Sequence, residues 1–221
     1  MRPVRVARDR WNFEVVGTGK FITPLGGNML DSRHPYFHGT PFRQFDKRDC
    51  DYRFGVMEEL GLNCLRQAIG VNEVFDPKAG LKAAGMKHWD TFIGLAEKHG
   101  VYLMPVGGYV GGNDWFDAPR LADHGKALDE SCAFWKAFAG HYAGHPAIWA
   151  WDLRNELLYD AGHGAGARGK KKMAQTEARL RDRWPAWLEA RYDTVADMNR
   201  VYRMQYRTFD QVPGPIKFVE K

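Results

Sequence analysis

The sequence predicts an α/β fold with a parallel sheet. Four short apolar runs recur along the 221 residues, and between them lie stretches whose apolar residues follow the helical period. The connections are about a dozen residues or longer, as parallel pairing requires. Right-handed crossovers then bring every strand's C-terminal end to the same edge of the sheet.

The first run is "FITPLGGN" (21–28). It is followed by "RDCDYRFGVMEELG" (48–61), which at helical spacing places Tyr52, Val56, Met57 and Leu60 on one face and ends at Gly61, a natural C-terminal cap. The second run, "GLNCLRQAI" (61–69), leads to "MKHWDTFIGLAEKHG" (86–100), with Trp89, Phe92, Ile93 and Ala96 on one face and a glycine at its end. The third run, "VYLMPVGG" (101–108), precedes "LDESCAFWKAFAGHYAGHP" (128–146), whose apolar face is Phe134, Trp135, Phe138 and Tyr142 and which closes at Pro146. The fourth run is "AIWAWDLRNE" (147–156). Strands are therefore expected near 21–28, 62–67, 101–106 and 147–154, side by side in that order, with helices outside. A single domain over 1–221 is expected, with a helical segment at 172–206.

Hydrophobic residues make up 44% of the chain, enough for a sizeable core. Aromatic residues reach 14%, and several of the eight Trp stand beside Gly, Asn or Asp. Flat rings next to polar side chains suit the faces and rims of sugars. The net charge of +5 is spread thinly except for "ARGKKK" (167–172), which reads as a solvated loop; no nucleic-acid partner is expected. No run is long enough to cross a membrane. The opening "MRPVRVARDRWNFEVV" is basic but lacks the apolar stretch of a signal peptide, so a cytoplasmic location is expected. Three cysteines, at 50, 64 and 132, show neither metal spacing nor an even-numbered framework, and the apolar surroundings of Cys64 and Cys132 predict buried thiols.

The residues that follow each strand converge at one edge: Asn28, then Arg66, then Gly107 to Tyr109, then Asn155 and Glu156. That edge is where ligands bind in such sheets. Arg66 stands inside an apolar strand, where an unpaired cation is costly. Glu156 follows an apolar strand, a poor place for packing and a good one for chemistry; a catalytic acid and a solvated carboxylate are both open readings. "GTGK" (17–20) lacks the spacing of a phosphate loop. "DSRHPYFH" (31–38) gathers Asp31, His34 and His38, but Pro35 argues against a helix presenting both histidines. Loop or sugar-contacting histidines are the favoured reading, and neither a metal nor another cofactor is expected.

With those residues placed, the chain resembles the clan A glycoside hydrolases, the TIM-barrel group of cellulases, mannanases and β-galactosidases. The likeness covers roughly 11–210 and keeps its order. "GKFITPLGGNML", "MEELGLNCLRQAI", "HWDTFIGLAEKHGVYLMPV" and "FWKAFAGHYAGHPAIWAWDLRNE" look like the opening strand and the helices leading into strands two, three and four. "WPAWLEARYDTVADMNRVYRMQYRTFDQVP" (184–213) resembles the segment that follows the acid/base glutamate in β-galactosidase-type members. The resemblance implies a half-barrel of four parallel strands and O-glycosidic bond hydrolysis. Glu156 would be the general acid/base and Asn155 would bind the sugar 2-hydroxyl. Arg66 would orient the nucleophile, and Trp115 would stack on the sugar. Asn28 and Tyr109, from their place at the same edge, are expected among the substrate contacts.

The family's nucleophile belongs to a seventh strand, and this sequence provides four. Three explanations compete: a fragment of a longer barrel, a half-barrel that pairs with a second copy, or a protein that binds sugar without cleaving it. Asp31 and Asp114 are the leading candidates for a second carboxylate within the chain; Glu73, Asp76 and Asp117 are weaker ones. Asp152 shares the strand-four parity of Glu156, one layer deeper. An open sheet edge and the apolar residues Trp184, Trp187, Leu188, Tyr192, Met198 and Tyr202 favour a homo-oligomer.

Overall fold

A computed structural model of the chain describes residues 1–29, 45–107, 126–153 and 183–213. They fall in two compact units, one within Met1–Asp117 and Lys126–Glu156, the other within Ala118–Gly125 and Leu157–Lys221.

The first unit opens with three short antiparallel strands, β1 (Val4–Val6), β2 (Phe13–Val15) and β3 (Phe21–Ile22). Asp9 shapes the turn between β1 and β2, accepting the N–H groups of Trp11 and Asn12. The parallel sheet starts only at β4 (Gly26–Asn28). The run 21–28, expected as one strand, is thus divided: Pro24 lies between two strands that belong to different sheets. β4 pairs with β5 (Cys64–Ala68), and β5 with β8 (Tyr102–Val106), all parallel. A fourth segment joins β8 through two parallel bridges, Leu103 with Ile148 and Val106 with Asp152. The order across the sheet is that of the sequence, as expected.

Between β4 and β5 runs α1 (Lys47–Glu59), capped by Asp46, whose side chain accepts from the N–H of Arg48 and Asp49. Its C-terminus is a Schellman turn: Gly61 takes φ +69°, its N–H donates to Glu58 O, and Leu62 N donates to Met57 O at 2.8 Å. The buried face of α1 is Cys50, Phe54 and Met57, while Tyr52 and Leu60 are exposed. The expected face is therefore rotated. Phe54 sets the phase, packing its ring 4.9 Å from that of Phe92, and Tyr52, two residues away, is turned to the far side.

After β5 come a single-turn helix, α2 (Val71–Val74), and a small hairpin, β6 (Phe75–Asp76) with β7 (Gly80–Leu81), which periodicity alone does not reveal. α3 (Ala83–Lys98) buries Trp89, Phe92, Ile93 and Ala96 as expected and ends in the same kind of turn at Gly100. α4 (Lys126–His141) brings Phe134 and Phe138 into the core. Trp89 and Phe138 meet edge to face with centroids 5.3 Å apart, and Tyr142 donates to Asp90 at 2.9 Å, tying the end of α4 to α3. These rings share one buried core with Leu65, Ile69, Val101 and Leu103. Cys50 and Cys64 are buried and form no disulfide. Cys132 is exposed, contrary to expectation, because the face of α4 set by Phe134 and Phe138 turns it outward.

In the second unit, α5 (Arg183–Arg191) and α6 (Val195–Tyr202) bury Leu188 and Met198. Thr194 caps α6, and a short 3₁₀ turn follows at Phe209–Gln211. Trp184 and Trp187 stack at 5.1 Å, and Arg191 lies over Trp187. Of the segment expected to be helical, residues 172–182 lie outside the described residues.

Candidate active site

The site is built on the sheet side away from the helices. Strand alternation puts Leu65 of β5 and Leu103 of β8 into the helix-facing core, so Cys64, Arg66, Tyr102 and Met104 share the opposite side. At its lower end this side carries the N-terminal strands: the rings of Phe13 and Trp149 meet edge to face at 5.0 Å, and the Tyr102 hydroxyl donates to Arg2 O.

The fourth segment contains a β-bulge. Leu103 N donates to Ala147 O at 2.7 Å, and Trp149 N to Leu103 O at 3.2 Å. The next rung has Asp152 N donating to Pro105 O at 3.0 Å and Gly107 N to Asp152 O at 3.0 Å. From one rung to the next β8 advances from Leu103 to Pro105, while its partner advances from Trp149 to Asp152, one residue more. The cause is visible in the sequence of β8. Pro105 has no N–H to give, and its carbonyl already faces the fourth segment, so the missing donor lies where the extra residue sits.

The bulge decides where three side chains go. Trp149 stays on the side of Cys64 and Phe13. Trp151 turns to the helices, its ring 6.0 Å from Trp135 and 6.1 Å from Phe138. Asp152 returns to the side of Arg66, which uninterrupted alternation from Trp149 would not allow.

Arg66 and Asp152 meet over the intervening strand. Arg66 donates to Asp152 Oδ2 through both Nε, at 2.9 Å, and Nη2, at 2.7 Å. Arg66 Nη1 reaches Asn28 Oδ1 at 3.4 Å, the weakest of the three. Asn28 and Arg66 are direct partners in the β4–β5 register. The Arg66 and Asp152 side chains are 24% and 25% exposed, so the pair is shielded yet open to solvent. The cation in an apolar strand thus has a carboxylate beside it, which answers its desolvation cost.

Of the expected site residues, the structure brings Arg66 and Asn28 together. Glu156, Asn155, Trp115, Tyr109, Asp31 and Asp114 lie outside the described residues, as do His34, His38 and Asp117. Asp76 is a turn residue: its Oδ1 accepts from the N–H of Lys78 and Ala79, and those bonds hold its carboxyl below the usual range. Among the described residues no group of three or more His, Cys, Asp and Glu is placed to hold a metal, and no helix is long and apolar enough to cross a membrane. Asp152, which strand parity placed on the side of Glu156 and one layer deeper, was not among the leading carboxylate candidates, and the structure sets it against Arg66. Two signals point to it: a cation in an apolar strand calls for a carboxylate, and a proline in an interior strand calls for a bulge.

Comparison with known proteins finds relatives in both sequence and fold. A family model described as beta-galactosidase, of glycoside hydrolase family 42, matches residues 126–221. A "Probable mannan endo-1,4-beta-mannosidase F" of Aspergillus oryzae is 30% identical over 166 residues, 58% of this chain and 34% of that protein. The "Mannan endo-1,4-beta-mannosidase F" of Aspergillus clavatus is 29% identical over 178 residues, 63% of this chain and 39% of that protein. This chain therefore spans between a third and two fifths of the length of these relatives. Among solved structures, the exo-beta-1,4-mannosidase Op5Man5 from Opitutaceae bacterium strain TAV5 superimposes with a TM-score of 0.56 at 17% identity, over 75% of this chain and 31% of that one. A GH5_18 structure from Bifidobacterium longum superimposes with a TM-score of 0.51 at 16% identity, over 72% and 40%. In sequence and in fold this chain is similar to clan A glycoside hydrolases, over part of their TIM barrel.

Proposed function

We propose that this chain carries the acid/base half of a glycosidase site, acting on a β-1,4-linked mannan. The observation that carries the reading is the Arg66–Asp152 pair. Arg66, from the second parallel strand, is hydrogen-bonded to a residue four positions before Glu156, on the sheet side away from the helices. The mannosidase names of its relatives support the choice of substrate.

On this reading Glu156 protonates the glycosidic oxygen as the bond breaks and then activates water. Asn155 hydrogen-bonds the sugar 2-hydroxyl, a contact that strengthens as positive charge develops at the anomeric carbon. Arg66 and Asn28 supply polar contacts at the strand ends, and Trp115 and Tyr109 supply ring faces for the sugar. A second carboxylate is required, about 5–5.5 Å from the first for retention or about 6.5–9.5 Å for inversion. Asp31 or Asp114 provides it within these residues, a second copy provides it across a homo-oligomeric interface, or the remainder of a longer barrel provides it.

The test is a panel of chromogenic β-mannosides, β-galactosides and β-glucosides with manno-oligosaccharides, run on the wild type and Glu156→Gln. Release of mannose units by the wild type, lost in Glu156→Gln, supports the reading, and preference for galactosides corrects the substrate alone. Binding of manno-oligosaccharide without cleavage by the wild type replaces it with carbohydrate recognition. Light scattering of the same preparation reports whether the active species is heavier than the 25.3 kDa chain.

A further inference from the structure

We propose that Asp152 is a positioning residue, which fixes the plane and direction of the Arg66 guanidinium for the site. The kinetic part of this inference rests on the glycosidase reading; the structural part does not.

Arginine has a long side chain with many rotamers, and ordering it costs entropy. Here its head is gripped from two strands. Asp152 accepts Nε and Nη2 on a single oxygen, which sets the guanidinium plane. Asn28, on the opposite flank of β5, approaches Nη1. Neither neighbour is adjacent in sequence: Asp152 is 86 residues from Arg66, and Asn28 is 38. Asp152 reaches this place only because the bulge beside Pro105 restores it to the side of Arg66. A local departure from regular pairing that turns one carboxylate toward one cation is the kind of device by which bulges re-aim side chains. Asp152 acts through Arg66, and its own chemistry is not used.

Two measurements on the full chain test this. The first is the solvent exchange rate of the Arg66 Nε–H by nuclear magnetic resonance, with the signal assigned through Arg66→Lys. The second is steady-state hydrolysis of manno-oligosaccharides. Asp152→Asn keeps the shape of the residue and removes its charge. It is expected to speed exchange at least about tenfold, as loss of a charge-assisted hydrogen bond requires. It is also expected to lower kcat about a hundredfold, the cost of misplacing a positioned group by about an ångström, with KM little changed. Asp152→Glu restores a carboxylate and is expected to recover part of both. Thermal unfolding of each variant separates these effects from loss of fold. An unchanged exchange rate in folded Asp152→Asn overturns the inference. So does an equal acceleration of exchange in Asp152→Glu and Asp152→Asn, since that would make the carboxylate irrelevant. A wild type without glycosidase activity refutes the glycosidase reading alone, and the exchange rate then decides the positioning role by itself.

Discussion

Asp152 N donates to Pro105 O at 3.0 Å, beside the one residue of β8 that has no N–H to return. From this pairing follow the bulge, the opposite directions of Trp149 and Trp151, and the meeting of Asp152 with Arg66.

Pro105→Val is expected to damage the sheet although valine favours strands. It adds an N–H facing the bulge, where an unpaired buried donor costs about 1–3 kcal/mol. Urea denaturation is expected to show a lower midpoint with unchanged slope. A midpoint at or above that of the wild type would mean that the bulge does not depend on the proline.

Gly26→Ala and Gly27→Ala form a contrasting pair. A Cβ at Gly26 runs into the backbone carbonyl of Cys64, whereas one at Gly27 meets nothing within 4 Å. The first is expected to cost about 1–3 kcal/mol or more, because backbone must give way. The second is expected to stay within about 0.5 kcal/mol. Chemical denaturation of both variants checks the difference.

Phe92→Ala is expected to cost about 3–5 kcal/mol, since the ring is fully buried and touches Phe54 and Trp89. Calorimetry with urea denaturation measures it. A loss below about 1 kcal/mol would place Phe92 outside the core.

His99 joins α3 to α1, with Nε2 2.7 Å from Asp51 and Nδ1 2.7 Å from Glu58. The Asp51 bond raises its pKa most, burial works against this, and Glu58 adds to the rise. The folded pKa therefore lies above the unfolded value of about 6.5. The pair's contribution to stability is fully present below that value and is lost as pH rises through the folded pKa. The stability difference between wild type and His99→Gln, followed by denaturation from about pH 5 to about pH 9, is expected to shrink as pH rises. A difference that grows with pH would reverse the assignment.

Much of the parallel sheet was legible because its signals are local. Gly61 and Gly100 mark helix ends by a conformation other residues rarely adopt, and the spacing of Trp89, Phe92, Ile93 and Ala96 fixes one face of α3. The charge of Arg66 in an apolar run marked the site edge. What escaped depends on partners far along the chain. Parity with Glu156 puts Asp152 on the open side of the sheet, but its meeting with Arg66 depends on an extra residue that answers a proline in another strand. The face of α1 was misjudged because the choice between Phe54 and Tyr52 is made by Phe92, on another helix. The run 21–28 looked continuous because Pro24 alone does not say which sheet each half will join.

The central claim, that Glu156 donates a proton to a departing sugar oxygen, is tested most directly by the leaving-group dependence of kcat/KM in Glu156→Gln. A general acid matters most when the leaving group is poor and little when it departs unaided. For manno-oligosaccharides kcat/KM is expected to fall by about a hundredfold or more, within the range for removing a general acid, while kcat/KM for a dinitrophenyl β-mannoside falls far less. Equal activity of wild type and Glu156→Gln on both substrates, or an equal loss on both, would contradict it.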